Sequence, residues 1–183
     1  MQGVLVGRWI MALILSGTVV VAQVPAVLAA PPAPALAAPT AIALEDRQLI
    51  EDLERRTFQW FWDSGSPETG LVPDRYPSPQ TFASVASVGF ALTAYGIGVD
   101  RQYITREQAV ERTLATLRFL MRAPQNDSAA NAAGYHGFFY HFLNEKTGLR
   151  LNPDIELSSI DTALLMQGVL FADSFYDRDT PQE

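Results

Sequence analysis

The stretch that decides the fold is Asn152-Pro-Asp-Ile-Glu-Leu-Ser-Ser-Ile-Asp-Thr-Ala-Leu-Leu-Met-Gln-Gly-Val-Leu-Phe171. Its first half carries three carboxylates, Asp154, Glu156 and Asp161, and its second half has almost no polar side chain. Ser158 is a favoured N-cap residue, and a carboxylate three positions later compensates the positive end of a helix. A helix that is apolar nearly all round is buried. The stretch therefore predicts a buried helix with acids at its N-terminal end, where a binding or catalytic site is expected.

The composition limits the class of partner. The chain has 183 residues, no cysteine, and 13 Lys+Arg against 20 Asp+Glu, a formal net charge of -7. Nucleic-acid binding needs a basic face, so this balance argues against nucleic acid as a partner. Disulfides and thiolate metal sites are excluded because cysteine is absent. The two histidines, His136 and His141, fall on opposite faces of a predicted strand, so no metal site is expected. No glycine-rich phosphate loop with a lysine occurs, and no cofactor is expected.

Residues 1–37 have the pattern of a signal peptide followed by an Ala/Pro-rich segment. Arg8 supplies the positive charge, and the apolar run Trp9–Ala22 is shorter than the about 20 residues of a membrane span. Small-residue cleavage sites follow in Val27–Ala29 and Ala35–Ala37. We expect export to the periplasm or the medium, no membrane partner beyond export, and a mature domain over residues 38–183. A retained N-terminal anchor is the alternative.

Four helical segments of alternating character follow, and they predict an all-α fold. The first, Leu44–Trp62, and the third, which begins at Thr105 with Gln108 completing a capping box, are amphipathic. The second, Ser84–Val99, has no charged residue, and the fourth is the apolar helix described above. This alternation indicates two layers, with amphipathic helices outside and apolar helices inside. The apolar stripe of the first helix is predicted at Leu49, Leu53, Thr57, Trp60 and Phe61.

Two long loops, residues 63–83 and 123–157, lead into the two apolar helices. Loops of this length are typical of functional segments, and in an up-and-down arrangement both lie at the same end of the layers. The second loop contains Gly137–Leu143 and Leu149–Leu151, separated by the turn Asn144–Gly148, which predicts a β-hairpin insertion. Alternation then separates two faces of three residues each: Phe138, Tyr140 and Phe142, against Phe139, His141 and Leu143.

Five segments together resemble a known family: Thr57–Asp63, Ala83–Phe90, Ile104–Ala109, Gly137–Phe142 and Glu156–Leu165. In this order they are similar to the bacterial glucoamylase-like family, which includes endo-β-1,2-glucanases and the related domain of cyclic β-1,2-glucan synthases. The resemblance implies an (α/α)6 barrel. A barrel of that kind needs twelve helices, whereas this chain supplies about four. We therefore expect a partial barrel that corresponds to the N-terminal third of the family domain, with the missing remainder as its partner.

The resemblance also implies a function, hydrolysis of a β-glucan that is β-1,2-linked, by a pair of carboxyl groups. Glu156 and Asp161 are the candidate catalytic residues. The alternative for Asp161 is a helix-capping carboxylate, and the alternative for Glu156 is a solvated loop acid. The competing function is a non-catalytic carbohydrate-binding or interaction fragment of such an enzyme, and a third is a bare helical scaffold.

Candidate substrate-binding residues lie on both long loops and at the end of the first helix. Asp74 and Arg75 form a neighbouring pair that can hydrogen-bond sugar hydroxyls, although the same pair also suits an ordinary surface turn. The aromatic candidates for stacking on an oligo- or polysaccharide have core packing as their alternative, and His141 joins them as a polar candidate. These aromatic candidates are Trp62, Tyr76 and Tyr140.

Overall fold

The computed structural model of the chain describes residues 43–78, 82–128 and 130–183. The number of helices in this part confirms the prediction of four. They are α1 (Leu44–Ser64), α2 (Val85–Asp100), α3 (Arg106–Arg122) and α4 (Ser159–Phe175). Within the described ranges, none of these helices combines the length and the apolar character that crossing a membrane requires. The predicted signal peptide and Ala/Pro-rich segment, residues 1–37, lie outside the described residues.

Local hydrogen bonds begin two of the helices as the sequence predicted. At α3, the Thr105 hydroxyl accepts from the Gln108 backbone N–H at 3.2 Å, and the Gln108 side chain accepts from the Thr105 N–H at 2.9 Å. At α4, the Ser158 hydroxyl accepts from the Asp161 N–H at 3.2 Å. Each such cap satisfies a backbone donor that has no partner within the helix and contributes about 1 kcal/mol.

Helices α2 and α4 pack backbone against backbone through two glycines. A Cβ atom placed on Gly168 would lie 2.6 Å from the Cα of Gly89, and one placed on Gly89 would lie 2.7 Å from the Cα of Leu165. Real Cβ atoms essentially never approach a neighbour this closely. The apolar helices can therefore touch at these two positions only because both lack a side chain.

Five short strands form two small antiparallel sheets rather than one hairpin. The strands are β1 (Phe82–Ser84), β2 (Gly134–Tyr135), β3 (Phe138–Tyr140), β4 (Phe142–Asn144) and β5 (Leu157–Ser158). One sheet pairs β1 with β4, and the other has the order β2-β3-β5. The chain leaves the second sheet and enters the first at His141. The prediction of one continuous strand over Gly137–Leu143 was therefore wrong.

The tight turn between β2 and β3 explains this difference. His136 and Gly137 both have positive φ, +51° and +87°, as in the two-residue type I′ turn of a β-hairpin. This turn pairs β3 with β2, which precedes it, instead of with Leu149–Leu151, which follows it. The second turn is confirmed: Gly148 has φ +69°, and Leu143 bridges Arg150 in antiparallel fashion.

The two long loops meet in the β1–β4 sheet, as the up-and-down arrangement predicted. The end of the first loop supplies β1 and the middle of the second supplies β4, with Phe82 opposite Asn144 and Ser84 opposite Phe142. The backbone N–H of Ser84 also donates to the carbonyl of Val72 at 3.1 Å. Both loops therefore contribute to one surface at the N-terminal ends of α2 and α4.

Two features of the burial pattern contradict the sequence predictions. In α1 the fully buried residue is Phe58. Trp60 and Phe61 of the predicted stripe pack against the core, but Leu49 and Leu53 are 66% and 62% exposed. In α4 one apolar face is exposed at Ile160 and Leu170, so this helix is not buried all round. Other residues of α4 pack against α2 and β3, and Arg106 of α3 donates to the carbonyl of Phe175 at the end of α4.

Candidate functional site

Asp161 occupies the third position of α4 and is 8% exposed. The hydroxyl of Ser158 donates to its Oδ2 atom, so one carboxylate oxygen already has a partner. The next residue, Thr162, donates to the carbonyl of Ser158 at 2.6 Å and accepts from the backbone N–H of Phe139 at 2.9 Å. These bonds fix the first turn of α4 against β3, and with it the position of the Asp161 carboxylate.

His141 lies between the two candidate carboxylates. Its Nδ1 atom is 2.7 Å from Glu156 Oε1, and its Nε2 atom is 3.7 Å from Asp161 Oδ1. The backbone holds this arrangement, because the N–H of His141 donates to the carbonyl of Glu156 at 3.1 Å. We call these four residues, His141, Glu156, Ser158 and Asp161, the His141 cluster. Glu156 and Asp161 do not face each other directly, because the imidazole ring lies between them.

Glu156 is the solvent-facing member of the His141 cluster. Its pKa is lowered, first by a hydrogen bond from its own backbone N–H and then by the hydrogen bond with His141. The side chain is 62% exposed, so this shift indicates a charged acceptor for the imidazole and not a large contribution to stability. Among the described residues, no group of three histidine or acidic side chains is arranged to hold a metal ion.

The His141 cluster lies on one face of the β2-β3-β5 sheet, and Tyr140 lies on the other. Residues adjacent in a strand point to opposite faces, and Tyr140 pairs with Leu157 while Phe139 pairs with Ser158. The ring of Tyr140 is buried and is covered by the guanidinium of Arg150 at 4.2 Å. Tyr140 therefore has the contacts of a core residue, and the structure does not bring it to the cluster.

A strip of side chains in mutual contact joins the first long loop to the His141 cluster. The Arg75 guanidinium lies 5.6 Å from the ring centre of Phe82, and the rings of Phe82 and Phe142 are 5.1 Å apart. The ring of Phe142 in turn stacks on His141 at 3.8 Å. Arg75 also pairs with Asp74 at 3.4 Å. Two predicted substrate-binding residues, Asp74 and Arg75, are thus connected to the cluster.

The remaining aromatic candidates have different surroundings. Tyr76 is 83% exposed beside Arg75, and a ring in that position is free to stack on a ligand. Trp62 packs against Phe58 and Tyr95, with the guanidinium of Arg112 at 4.4 Å from its ring. Trp62 therefore has the contacts of a core residue, like Tyr140, and its predicted role in binding sugar stays a prediction.

Sequence reasoning did not assign a site role to Phe82 or Phe142. Both are half-buried and connect the loop residues to the cluster. The alternation pattern gave no signal for Phe142, because it placed Phe142 and His141 on opposite faces, whereas their rings stack. Position in the chain gave a partial signal, since Phe142 follows His141 directly. Phe82 carried no such signal, since its contact with Phe142 joins residues 60 positions apart.

Comparisons with known proteins match this part of the chain to hydrolases of β-1,2-linked glucans. A curated relative, an exo-β-1,2-glucooligosaccharide sophorohydrolase (non-reducing end) from Parabacteroides distasonis, is 26% identical over 148 residues, which are 79% of this chain and 19% of the relative. No family model matches the chain.

Solved structures give the same result. A glucoamylase-like protein from Bacteroides uniformis superimposes with a TM-score of 0.65 at 31% identity, over 77% of this chain and 33% of that one. The endo-β-1,2-glucanase from Chitinophaga pinensis, in complex with sophorotriose and glucose, superimposes with a TM-score of 0.62 at 27% identity, over 76% and 34%. The chain spans about a third of these structures. The resemblance to the glucoamylase-like and β-1,2-glucanase enzymes is therefore confirmed over about three quarters of the chain, which corresponds to part of a larger enzyme.

Proposed function

We propose that this chain is part of an exported glycoside hydrolase-like protein that acts on β-glucan with β-1,2 linkages. One observation carries the proposal: the chain brings a buried carboxylate and a histidine together, and about three quarters of it matches enzymes named for β-1,2-glucan hydrolysis. The strip from Arg75 to His141 supports it, because charged and aromatic side chains beside a carboxylate suit a neutral saccharide. Export rests on the signal pattern of residues 1–37.

In this proposal Asp161 is the carboxyl group of the chain that acts at the glycosidic bond. Glycoside hydrolysis uses two carboxyl groups on either side of the bond that breaks. The imidazole of His141 occupies the space between Glu156 and Asp161, and this arrangement favours an indirect role for Glu156. The second carboxyl group at the bond then comes from the remainder of the enzyme.

The four helices correspond in this proposal to two outer and inner pairs of an (α/α)6 barrel. The exposed apolar side chains support it, since they lie at the two edges where further pairs would pack. One edge is a groove between α1 and α2, lined by residues that include Leu53, Phe90 and Ile97. The other is the exposed face of α4, with Met166 and Leu170. Faces of this kind are typical of surfaces that pack against another part of a protein.

The proposal is tested by Asp161→Asn in a polypeptide that carries this segment together with the rest of the barrel. Asparagine still accepts the hydrogen bond from Ser158, so the melting temperature should change little. Asparagine cannot exchange a proton, and we expect hydrolysis of β-1,2-glucan to fall by about 10²–10⁴-fold.

The matched control is Asp154→Asn, which removes an exposed carboxylate seven residues earlier in the chain and should leave turnover unchanged. The expected loss of hydrolysis is at least about 10²-fold. A folded Asp161→Asn variant that keeps more than about a tenth of the parent's β-1,2-glucan hydrolysis would therefore show that Asp161 only supports the helix start.

The second candidate function is carbohydrate binding without hydrolysis. The observation that favours it is the strip from Arg75 to His141, which offers charged and aromatic contacts to a sugar. Purified residues 38–183 distinguish the two. Binding of a β-1,2-glucan oligosaccharide with no release of product favours a binding fragment, whereas full turnover by this fragment contradicts the proposal that further helices complete the site.

A further inference from the structure

The two ring nitrogens of His141 have different partners. The Nδ1 atom is 2.7 Å from Glu156 Oε1, an ordinary hydrogen-bond length, while Nε2 is 3.7 Å from Asp161 Oδ1, which is too long for one. A neutral imidazole has a single N–H group, and the hydrogen bond made by one nitrogen decides the state of the other. The shorter contact therefore places the proton on Nδ1, where the Glu156 carboxylate accepts it, and leaves a lone pair on Nε2.

We infer that Glu156 is a positioning residue that acts through His141, and that His141 Nε2 and Asp161 Oδ1 together hold one hydroxyl oxygen between them. Two acceptors do not bond each other, and polar atoms 3.7 Å apart are commonly bridged by a single oxygen that donates. A water molecule can donate one hydrogen to each acceptor, whereas a sugar hydroxyl has a single hydrogen and reaches both acceptors through a bifurcated bond. The inference deepens the proposed function, because it names the group of the saccharide that this site contacts.

The surroundings of the gap restrict what can enter it. Asp161 Oδ2 already accepts from Ser158, so Oδ1 is the carboxylate oxygen that remains for a ligand. His141 and Asp161 keep 28% and 12% of their side-chain surfaces exposed, and the gap is therefore reachable from solvent. Both atoms that face the gap are acceptors, so a donor such as a hydroxyl group is complementary to them.

The imidazole is held in this orientation from several sides. The ring of His141 stacks on Phe142 with an angle of 19° between the planes. The backbone carbonyl of His141 accepts from the backbone N–H of Val85 at 3.1 Å. The charged groups that face it are Glu156, just before β5, and Asp161, in α4. Neither Phe142 of β4 nor the N–H of Val85 at the start of α2 titrates. Glu156 is therefore the group that selects which ring nitrogen carries the proton.

The proton on His141 can be measured directly, because the chain has two histidines. The variant His136→Asn leaves one imidazole, and asparagine tolerates the positive φ at that turn position. Nitrogen-15 NMR of the neutral imidazole, recorded at a pH where one ring proton remains, should show Nδ1 protonated and Nε2 unprotonated. Glu156→Gln in the same background should move proton population from Nδ1 to Nε2, while the control Asp154→Asn should leave both signals in place.

Two NMR results would overturn the inference. The first is a neutral ring in the parent that carries its proton on Nε2, because Nε2 would then be a donor. The second is an Nδ1–H tautomer that survives Glu156→Gln unchanged. Titration with sophorose, the β-1,2-linked disaccharide of glucose, identifies the oxygen that lies between His141 and Asp161. If the Nε2 signal changes when sophorose binds, the oxygen belongs to a sugar hydroxyl. If sophorose binds and the signal does not change, the oxygen belongs to water.

Kinetics in the complete enzyme separate this inference from the proposed function. Residues that act as one unit are strongly non-additive, so Glu156→Gln and His141→Gln should each lower kcat by roughly 10²-fold, and the double variant should lose little more. Full additivity of the two losses contradicts the positioning role even if Asp161→Asn is inactive. An active Asp161→Asn variant contradicts the proposed function, whatever the NMR result for His141.

Discussion

Gly168→Ala tests the packing that places Asp161. The new methyl group would lie 2.6 Å from the Cα and 2.7 Å from the carbonyl carbon of Gly89, whereas ordinary contact begins at 3.4 Å. Both obstacles are backbone atoms of a buried helix and cannot rotate away. Helices α2 and α4 must therefore separate by roughly 1 Å, and a gap of that size forfeits a quarter to a half of the dispersion attraction across the contact.

The expected loss of stability follows from two opposing effects. Overpacking a well-packed interior costs about 1–3 kcal/mol and occasionally more, and contact with backbone belongs at the upper end of that range. Alanine in a helix interior recovers about 1 kcal/mol relative to glycine. We expect a net loss of about 2 kcal/mol in the free energy of unfolding. Urea titration followed by circular dichroism measures it.

The matched control is Gly96→Ala in α2. Its methyl group would meet Phe171 at 2.5 Å, but the obstacle is a half-buried side chain that can change rotamer. This variant should lose clearly less stability than Gly168→Ala. A Gly89→Ala/Gly168→Ala double variant should cost less than the sum of the single changes, because one separation accommodates both methyl groups. Equal stability of Gly96→Ala and Gly168→Ala would refute the close contact between α2 and α4.

Three further outcomes are expected. Thr105→Ala removes one half of the capping box of α3 and should lower stability by about 1 kcal/mol, seen in urea titration, with no effect on sugar binding. Ser158→Ala should cost a similar amount and should also reduce turnover, because the partner of Asp161 Oδ2 is lost; unchanged turnover would contradict this. The lowered pKa of Glu156 means that its contribution to stability is full above the unfolded pKa of about 4.3 and is lost as pH falls through the folded pKa. The difference in melting temperature between the parent and Glu156→Gln should therefore be present at neutral pH and vanish in acid.

The helices and their first turns follow from the sequence, because the interactions that decide them are local. The hydroxyls of Thr105 and Ser158 bond backbone groups three residues away, and the predicted starts of all four helices agree with the structure to within about one residue. The sequence likewise predicted that Asp161 stands at the start of an apolar helix, because the residues next to Asp161 determine where that helix begins.

The burial of α1 could not be predicted from its own pattern. The periodicity selected Leu49 and Leu53, but the tertiary structure buries Phe58, whose ring fills the space beside Gly98 of α2. A single helix specifies which side chains share a face. Only its partner decides which of several apolar faces meets the core, because burial is a property of two surfaces.

In the candidate site, too, some features follow from the local sequence and others only from the tertiary structure. The sequence by itself determined that Glu156 and Asp161 stand near the start of a helix, because their spacing and the Ser158 cap are local. Only the tertiary structure decided that His141 lies between them. This residue stands between β3 and β4, 15 residues before Glu156, and it reaches Glu156 because β3 pairs with β5. That pairing depends on the turn at His136 and Gly137 and on the close approach of α2 and α4. Contacts between distant parts of the chain are decided by packing and strand register, which no local pattern specifies.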